Sequence, residues 1–233
     1  MFGSTQTVSI FDALTDTEKV FRDEAVAVSE VAEKVKLGYV VLLPTDTVYG
    51  VACSAENPSS IEDVFVLKRR ESTKTLPVLV SGLEMADHYF GPLPLDERFR
   101  LEALASQLWP GALTVVVSSP RTLPRGVQRV DGSVALRSPG DSFSSLVVRD
   151  VPLACTSANR SGGTPVTNFI QAKALLKESL LKDLSMSIQT LVVGDERPMA
   201  EKASTLVDIR TTVPQILREG PISYEEISKV LSA

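Results

Sequence analysis

Four short stretches of this 233-residue chain carry groups suited to holding a polyanion or an amino acid. Lys68-Arg69-Arg70 sets two cations two residues apart at the end of an expected helix, and Lys74 continues the positive cluster. An arginine fork fits phosphate oxygens and a lysine adds a compact charge. Together they suit a triphosphate and the negative charge that builds on a pyrophosphate leaving group. The same string also describes a solvated basic helix end, where the helix dipole favours cations. Ser157-Ala158-Asn159 follows a short apolar run, and its hydroxyl and amide suit phosphate or ribose oxygens or an ordinary turn. Pro44-Thr45-Asp46-Thr47 offers two hydroxyls and a carboxylate, fit for the ammonium and hydroxyl of an amino acid or for a proline-initiated turn. Val134-Ala135-Leu136-Arg137 ends an apolar strand on a cation that needs a carboxylate or phosphate partner.

Other chemistries find little support. A Ser-His-Asp triad would depend on His88, the only histidine, whose helical setting beside Asp87 and Tyr89 reads as surface or partly buried. There is no Gly-x-x-x-x-Gly-Lys-Ser/Thr loop, and Gly162-Gly163 does not fit the dinucleotide fingerprint. Two cysteines, Cys53 and Cys155, with one histidine cannot form the usual Cys/His zinc site. Both are expected as reduced, buried thiols in a cytoplasmic protein. Trp109-Pro110-Gly111-Ala112-Leu113-Thr114 reads as architectural, with the indole packed inward and Thr114 opening a strand.

The elements that must position these groups follow from periodicity. Ala25, Val28, Val31, Ala32 and Val35 recur at helical spacing within a helix expected over 18–37, which Gly38 stops. Residues 39–43 read as a fully buried strand and 48–52 as the next. Asn57-Pro58 caps a helix over 61–70. Further helices are expected over 83–90, 96–108, 142–149, 169–184 and 224–231. Strands are expected over 76–80, 113–118, 133–136, 153–156, 190–193, 204–209 and 215–217. Alternating strands and helices with some short connections predict an α/β fold: a twisted open mixed sheet with flanking helices. A single domain spans 1–233, with its core over about 20–231 and residues 1–17 as an N-terminal extension.

Hydrophobic residues are 43% and charged residues 23% of the chain, the balance of a soluble globular enzyme. The longest apolar runs are strand-sized, far short of the roughly 20 residues that span a bilayer. The first ten residues have neither a basic start nor an apolar stretch, so no secretory leader is expected. A net charge of −5 and a pI near 5.1 argue against general affinity for nucleic acid.

Taken in order, the strings resemble the YrdC/Sua5 family, whose members are threonylcarbamoyl-AMP synthases. The resemblance runs over about 28–231. It is carried by Pro44-Thr45-Asp46-Thr47-Val48-Tyr49-Gly50, Lys68-x-Arg70, Trp109-Pro110-Gly111-x-Leu113-Thr114, Val134-Ala135-Leu136-Arg137, Ser157-x-Asn159 and Leu217-Arg218-Glu219-Gly220. It implies a YrdC-like sheet with a large, positively lined cavity. It also implies formation of threonylcarbamoyl-AMP and pyrophosphate from L-threonine, bicarbonate and ATP, with Mg²⁺ carried on the ATP. The product would serve N6-threonylcarbamoylation of adenosine at position 37 of tRNA, through downstream tRNA-threonylcarbamoyl transferase proteins. Direct tRNA contact would be weak, and no membrane is involved.

Position by position, the resemblance puts Thr47 on threonine, Arg137 on its carboxylate and Ser204 beside it. Lys68, Arg70 and Lys74 face the ATP phosphates, Lys68 and Arg70 as the catalytic pair. Ser133, Ser157 and Asn159 contact the nucleotide, and Arg218 closes over it. Some members carry a histidine that meets threonine where this chain has Leu79, and the loop after Asn159 is individual. The additional C-terminal domain of longer Sua5 members is not expected here. A paralogue of the YciO type, RNA-related and without synthase activity, shares the fold. The carbamoyl-transfer domain of hydrogenase maturation proteins is a further relative, normally set in a longer chain with zinc-finger-like cysteines.

Overall fold

Near-continuous apolar runs, buried on both faces, build central strands, and three- and four-residue spacing builds the helices that cover them. The computed structural model describes residues 7–71, 73–159, 163–181 and 188–232. The chain begins with β1 (Val8–Asp12), β2 (Thr17–Phe21), α1 (Glu24–Lys36), β3 (Val40–Pro44), β4 (Tyr49–Ser54) and α2 (Pro58–Lys68). It continues with β5 (Val78–Leu79), α3 (Leu83–Phe90), α4 (Leu95–Leu108), β6 (Leu113–Ser118), β7 (Ser133–Arg137) and α5 (Phe143–Val147). β8 (Leu153–Ser157), α6 (Phe169–Leu181), β9 (Thr190–Gly194), β10 (Thr205–Asp208), β11 (Gln215–Arg218) and α7 (Tyr224–Leu231) complete it. All strands join one twisted mixed sheet in the order β11-β10-β6-β7-β5-β8-β4-β3-β9-β1-β2. The β3–β9, β5–β7 and β6–β10 pairs are parallel, and the other neighbours run antiparallel.

The N-terminal region departs from expectation. Residues 17–21 form strand β2 rather than the first turn of a helix, because they pair with β1 in a hairpin that overrides their helical composition. The helix starts only at Glu24, where the Asp23 carboxylate accepts from Ala25 N at 2.9 Å and Val26 N at 3.4 Å. Nor are residues 1–17 wholly outside the core: β1 pairs with β9, and Val8, Ile10 and Phe11 are buried. The expected strand over 76–80 shrinks to the two residues of β5. Residues 182–184 of the expected helix, and Ser161 and Gly162 of the loop after Asn159, lie outside the described residues.

The two faces of the sheet are covered differently. Val51, Val78, Val115, Leu136 and Val207 face a core closed by α2, α3, α4, α6 and α7. On the opposite face Val41, Leu43 and Ala52 meet α1 and α5, which pack over the β1–β4 region. Across β11, β10, β6, β7, β5 and β8 that same face carries Arg218, Leu206, Thr114, Arg137, Leu79 and Cys155, which line a cavity. Strand alternation enforces the division. On β7, Val134 and Leu136 enter the first core, while Ala135 and Arg137 turn to the cavity.

A β-bulge extends this logic to the sheet edge. β10 and β11 pair Leu206 with Arg218 and Val207 with Ile216, so Leu217 is the extra residue and is 44% exposed. The bulge sends Ile216 toward the apolar core and Arg218 toward the cavity. Gly220 lies directly on the chain it follows: a Cβ there would collide with the backbone of Ala203, Ser204 and Thr205. Gly220→Ala should therefore force β10 and β11 apart and cost about 1–3 kcal/mol. Urea unfolding would show a lower midpoint with unchanged slope, and a midpoint equal to the parent's would mean the corner adapts freely.

Candidate functional site

The cavity encloses about 610 Å³, a volume in the range of small-molecule sites. Among the described residues its lining includes Arg70, Lys74, Arg129, Arg137 and Arg218, opposed by one carboxylate, Asp131. A chain that is acidic overall thus gathers positive charge in one hollow.

Arg137 occupies the middle of the floor and is only 5% exposed. Its Nε donates to Gly111 O at 2.9 Å, its Nη1 to Thr47 Oγ1 at 2.9 Å, and its Nη2 to the Asp46 carboxylate. The Trp109-Pro110-Gly111 segment is thus architectural in a specific sense. Trp109 Nε1 donates to Leu113 O at 2.8 Å, fixing the loop whose Gly111 carbonyl holds Arg137. Thr45 and Thr47 share a hydroxyl contact of 2.9 Å, and Thr45 Oγ1 donates to Val48 O at 2.7 Å. The proline-initiated turn and the ligand-facing hydroxyls are therefore one structure. Leu79 is the register partner of Arg137 and lines the cavity beside it.

The α2 terminus supplies the second group. Arg69 adopts a left-handed conformation (φ 48°) and closes the helix, so Arg70 leaves the helix axis toward the cavity. Arg70 Nη2 donates to Thr75 O at 3.0 Å, while its Nε is buried with no hydrogen-bond partner among the described residues. Burial lowers the Arg70 pKa from its ordinary value. Lys74 lies at the exposed rim, 3.5 Å from Glu71.

Lys68 does not line the cavity. Its Nζ instead donates to the Ser157 carbonyl, to Thr156 Oγ1 at 3.3 Å and to Asn159 Oδ1 at 3.5 Å. Asn159 also stays behind the lining: its Oδ1 accepts from Ser157 Oγ at 2.7 Å and its Nδ2 donates to Gly163 O at 2.8 Å. Lys68 and Asn159 thereby hold Thr156 and Ser157, which do line the cavity. Burial, reinforced by the Arg70 charge, lowers the Lys68 pKa to about 8.

The third group stands at the β10–β11 edge. Arg218 donates from Nε to Ser204 O and from Nη2 to Ser204 Oγ, both at 3.0 Å. Ser204 Oγ in turn lies 2.8 Å from Thr114 Oγ1. Desolvation against the sheet, then the charges of Arg137 and Arg70, lower the Arg218 pKa. Ser133 shares the cavity-side row of β7 but does not reach the lining. Its hydroxyl donates to Asp131 Oδ1 at 2.6 Å, because the turn before the strand folds that carboxylate over it.

Thr47, Arg70, Lys74, Arg137, Ser157, Ser204 and Arg218 therefore meet around one hollow, with Lys68 and Asn159 directly behind it. Sequence reasoning did not assign Thr114, Asp131 or Arg129 to the site. Thr114 was visible only as a strand opener, and the other two sit in an aperiodic stretch. His88 is exposed on α3, its Nδ1 3.3 Å from Glu84 O. Cys53 and Cys155 are free and buried, and burial pushes the Cys155 thiol up to about 12. Neither His88 nor Cys155 serves as a ready nucleophile or base. Among the described residues no helix is long and apolar enough to cross a membrane.

Comparison with known proteins identifies relatives in sequence and fold. A Mycobacterium tuberculosis protein is 32% identical over 199 residues, covering 84% of this chain and 85% of its own length. The threonylcarbamoyl-AMP synthase of Bacillus subtilis is 28% identical over 207 residues, and the match spans 88% of this chain but 56% of that longer protein. Sua5 of Pyrococcus abyssi, solved in complex with L-threonine, superposes with a TM-score of 0.76 at 27% identity, over 90% of this chain and 58% of that one. Escherichia coli YciO, at 16% identity and a TM-score of 0.71, shares the fold. The family model described as Sua5_yciO_yrdC, telomere recombination, matches residues 33–220. The chain belongs to the Sua5/YciO/YrdC family.

Proposed function

We propose that this chain is an L-threonylcarbamoyladenylate synthase, joining L-threonine, bicarbonate and ATP with release of pyrophosphate. The observation that carries the reading is the convergence of the Arg70, Arg137 and Arg218 groups on one cavity in a chain of this family. Relatives bearing the synthase name, and a threonine complex of one of them, support it. The product would feed tRNA-threonylcarbamoyl transferase proteins that modify position 37 of tRNA.

In this reading Thr47, Arg137 and Ser204 take threonine. Arg137 has five N–H groups, of which three hold protein partners, so two remain for a carboxylate. Arg70 and Lys74 face the phosphates, with Lys68 and Asn159 ordering Ser157 beside them, and Arg218 covers the nucleotide. Ser133, buried behind the lining, bears on the nucleotide side only by holding Asp131 through its hydroxyl. Among the described residues no cluster of three or more His, Cys, Asp or Glu forms a metal site. We assign Mg²⁺ to the phosphates of ATP because that ion is usually bound by substrate phosphates with few protein ligands.

The threonine ammonium releases one proton, and its nitrogen bonds the bicarbonate carbon while a second proton leaves with the bicarbonate hydroxyl as water; the carbamate nitrogen keeps one N–H. A carbamate oxygen then attacks the α-phosphorus of ATP while the bond to the β-phosphate oxygen breaks. Pyrophosphate departs with the bond's electron pair. The protein's task is to align carbamate and α-phosphorus and to offset charge on the leaving group, and buried cations do both.

Two measurements test the reading. Pyrophosphate release from ATP with bicarbonate present should depend on threonine, and Arg70→Ala should lower its rate on the order of 10²-fold or more. Release indifferent to threonine, or unchanged turnover in the variant, would count against it. Lys68 sets the pH response. Its pKa near 8 leaves it charged below that pH and neutral above, so its pull on the phosphate site is full at pH 7 and fades through pH 8–9. Calorimetric ATP affinity should fall across that window in the parent and stay flatter in Lys68→Arg. Matching profiles in the two proteins would show that the Lys68 charge does not reach the bound phosphates from behind the lining.

A further inference from the structure

The connection between β9 and β10 carries a charge cluster that approaches the cavity without entering it. Its hub is Arg197, whose side chain is 11% exposed and stands outside the lining. Its Nη2 pairs with Glu24 in the first turn of α1. Its Nη1 lies 3.1 Å from Asp195 Oδ2, and its Nε lies 3.8 Å from Asp141 Oδ1, just ahead of α5. Its backbone N donates to Asp195 Oδ1 at 3.0 Å. One guanidinium thus clamps the start of the connection to α1 and to the segment that leads into α5. Burial lowers the Arg197 pKa and raises that of Asp195, so the cluster is held against desolvation. Apolar side chains would cover the same corner without that penalty, and simple packing does not account for the choice.

What the clamp controls lies a few residues further along the chain. Ala200 N donates to Asp46 O at 3.0 Å. A second segment tied to Arg197 reaches the same residue: Gly140, next to Asp141, packs so closely that a Cβ there would lie 3.0 Å from Asp46 Oδ2. Asp46 is therefore gripped by two segments that Arg197 fastens. Its carboxylate in turn accepts from Arg137 Nη2 on the cavity floor. The connection then ends in Ala203 and Ser204, which line the cavity. We infer that Arg197 is a positioning residue for the amino-acid end of the site: by clamping the 195–204 connection it sets Asp46, and through Asp46 it aims the Arg137 N–H groups left for a carboxylate. The inference rests on the synthase reading, which names threonine as the ligand there, and adds a control on its affinity from outside the cavity.

The test separates positioning from general loosening. Calorimetric titrations with L-threonine and with ATP are compared for the parent, Arg197→Met, Arg197→Lys, Asp46→Asn and the double variant Arg197→Met/Asp46→Asn. Arg197→Met keeps an unbranched stem and loses the charge. It should weaken threonine about tenfold while ATP affinity stays within about twofold. Arg197→Lys, which keeps the charge, should recover part of the loss. In Asp46→Asn the route is already cut, so adding Arg197→Met should weaken threonine no further. Full additivity of the two changes would overturn the inference. So would unchanged threonine affinity in Arg197→Met, or equal losses for both ligands. Should Arg197→Met not fold, Glu24→Gln at the start of α1 decides in its place: a loss confined to threonine supports the clamp, and parent-like affinity refutes it. Any of these refutations leaves the synthase reading standing, whereas a parent protein that binds no threonine removes both.

Discussion

Arg137 is a permanently charged side chain taken almost wholly out of water, and burying such a charge is costly unless it is paired and hydrogen-bonded. Its three partners come from two places: Gly111 in the loop before β6, and Thr47 and Asp46 in the turn between β3 and β4. Satisfying one guanidinium therefore fixes the distance between the centre of the sheet and the two segments that flank the cavity. Removing a single partner from a buried pair of this kind typically costs about 3–5 kcal/mol. The geometry of the threonine-suited end is thereby tied to the stability of the fold, and Thr47 cannot drift without leaving a donor on Arg137 unmatched.

The same economy appears at the other cations, with a different outcome. Among the described residues Arg70 has one buried N–H group without a partner, and Arg218 leans on Ser204 within reach of the charges of both Arg70 and Arg137. Lowered pKa values at Lys68, Arg70 and Arg218 record that these groups are held against desolvation. A polyanion would relieve both burial and mutual repulsion at once. The strain needed to collect these charges is stored in the fold and offset elsewhere, by the two apolar cores on either side of the sheet. Low-dielectric walls then focus the field of the cavity, which a net charge of −5 over the whole chain does not cancel at short range.

Much of this was legible in the residues. Strands such as β3 and β6 announce themselves because both their faces are buried and their runs are unbroken, and α7 matches its expected bounds. Of the row Thr114, Arg137, Leu79, the last two were placed only through the family resemblance and Thr114 not at all, because the row is assembled by register between strands distant in sequence. The hairpin of β1 and β2 was hidden for a related reason: residues 17–21 gain their strand form from pairing, with four of the five exposed. Likewise Lys68-x-Arg70 was readable as a cationic pair but not as two separate jobs. The left-handed turn at Arg69 sends one cation into the cavity and leaves the other behind it, and no spacing rule encodes that divergence.

Among the described residues, the division of labour suits chemistry by positioning and charge. The Tyr49 hydroxyl is committed to Val193 O at 2.9 Å, the Cys155 thiol is held protonated by burial, and His88 lies on the surface of α3. What remains at the cavity are charges and hydroxyls mounted on strand ends and tight turns. Such groups stabilise negative charge as it forms and need no proton to move in step with bond breaking. Adenylate formation asks for that and little more, since the leaving group is an anion and the nucleophile, once carboxylated, is one too. A fold that leaves half of one sheet face uncovered, and lines it with buried cations, supplies the reaction's main physical need through its architecture.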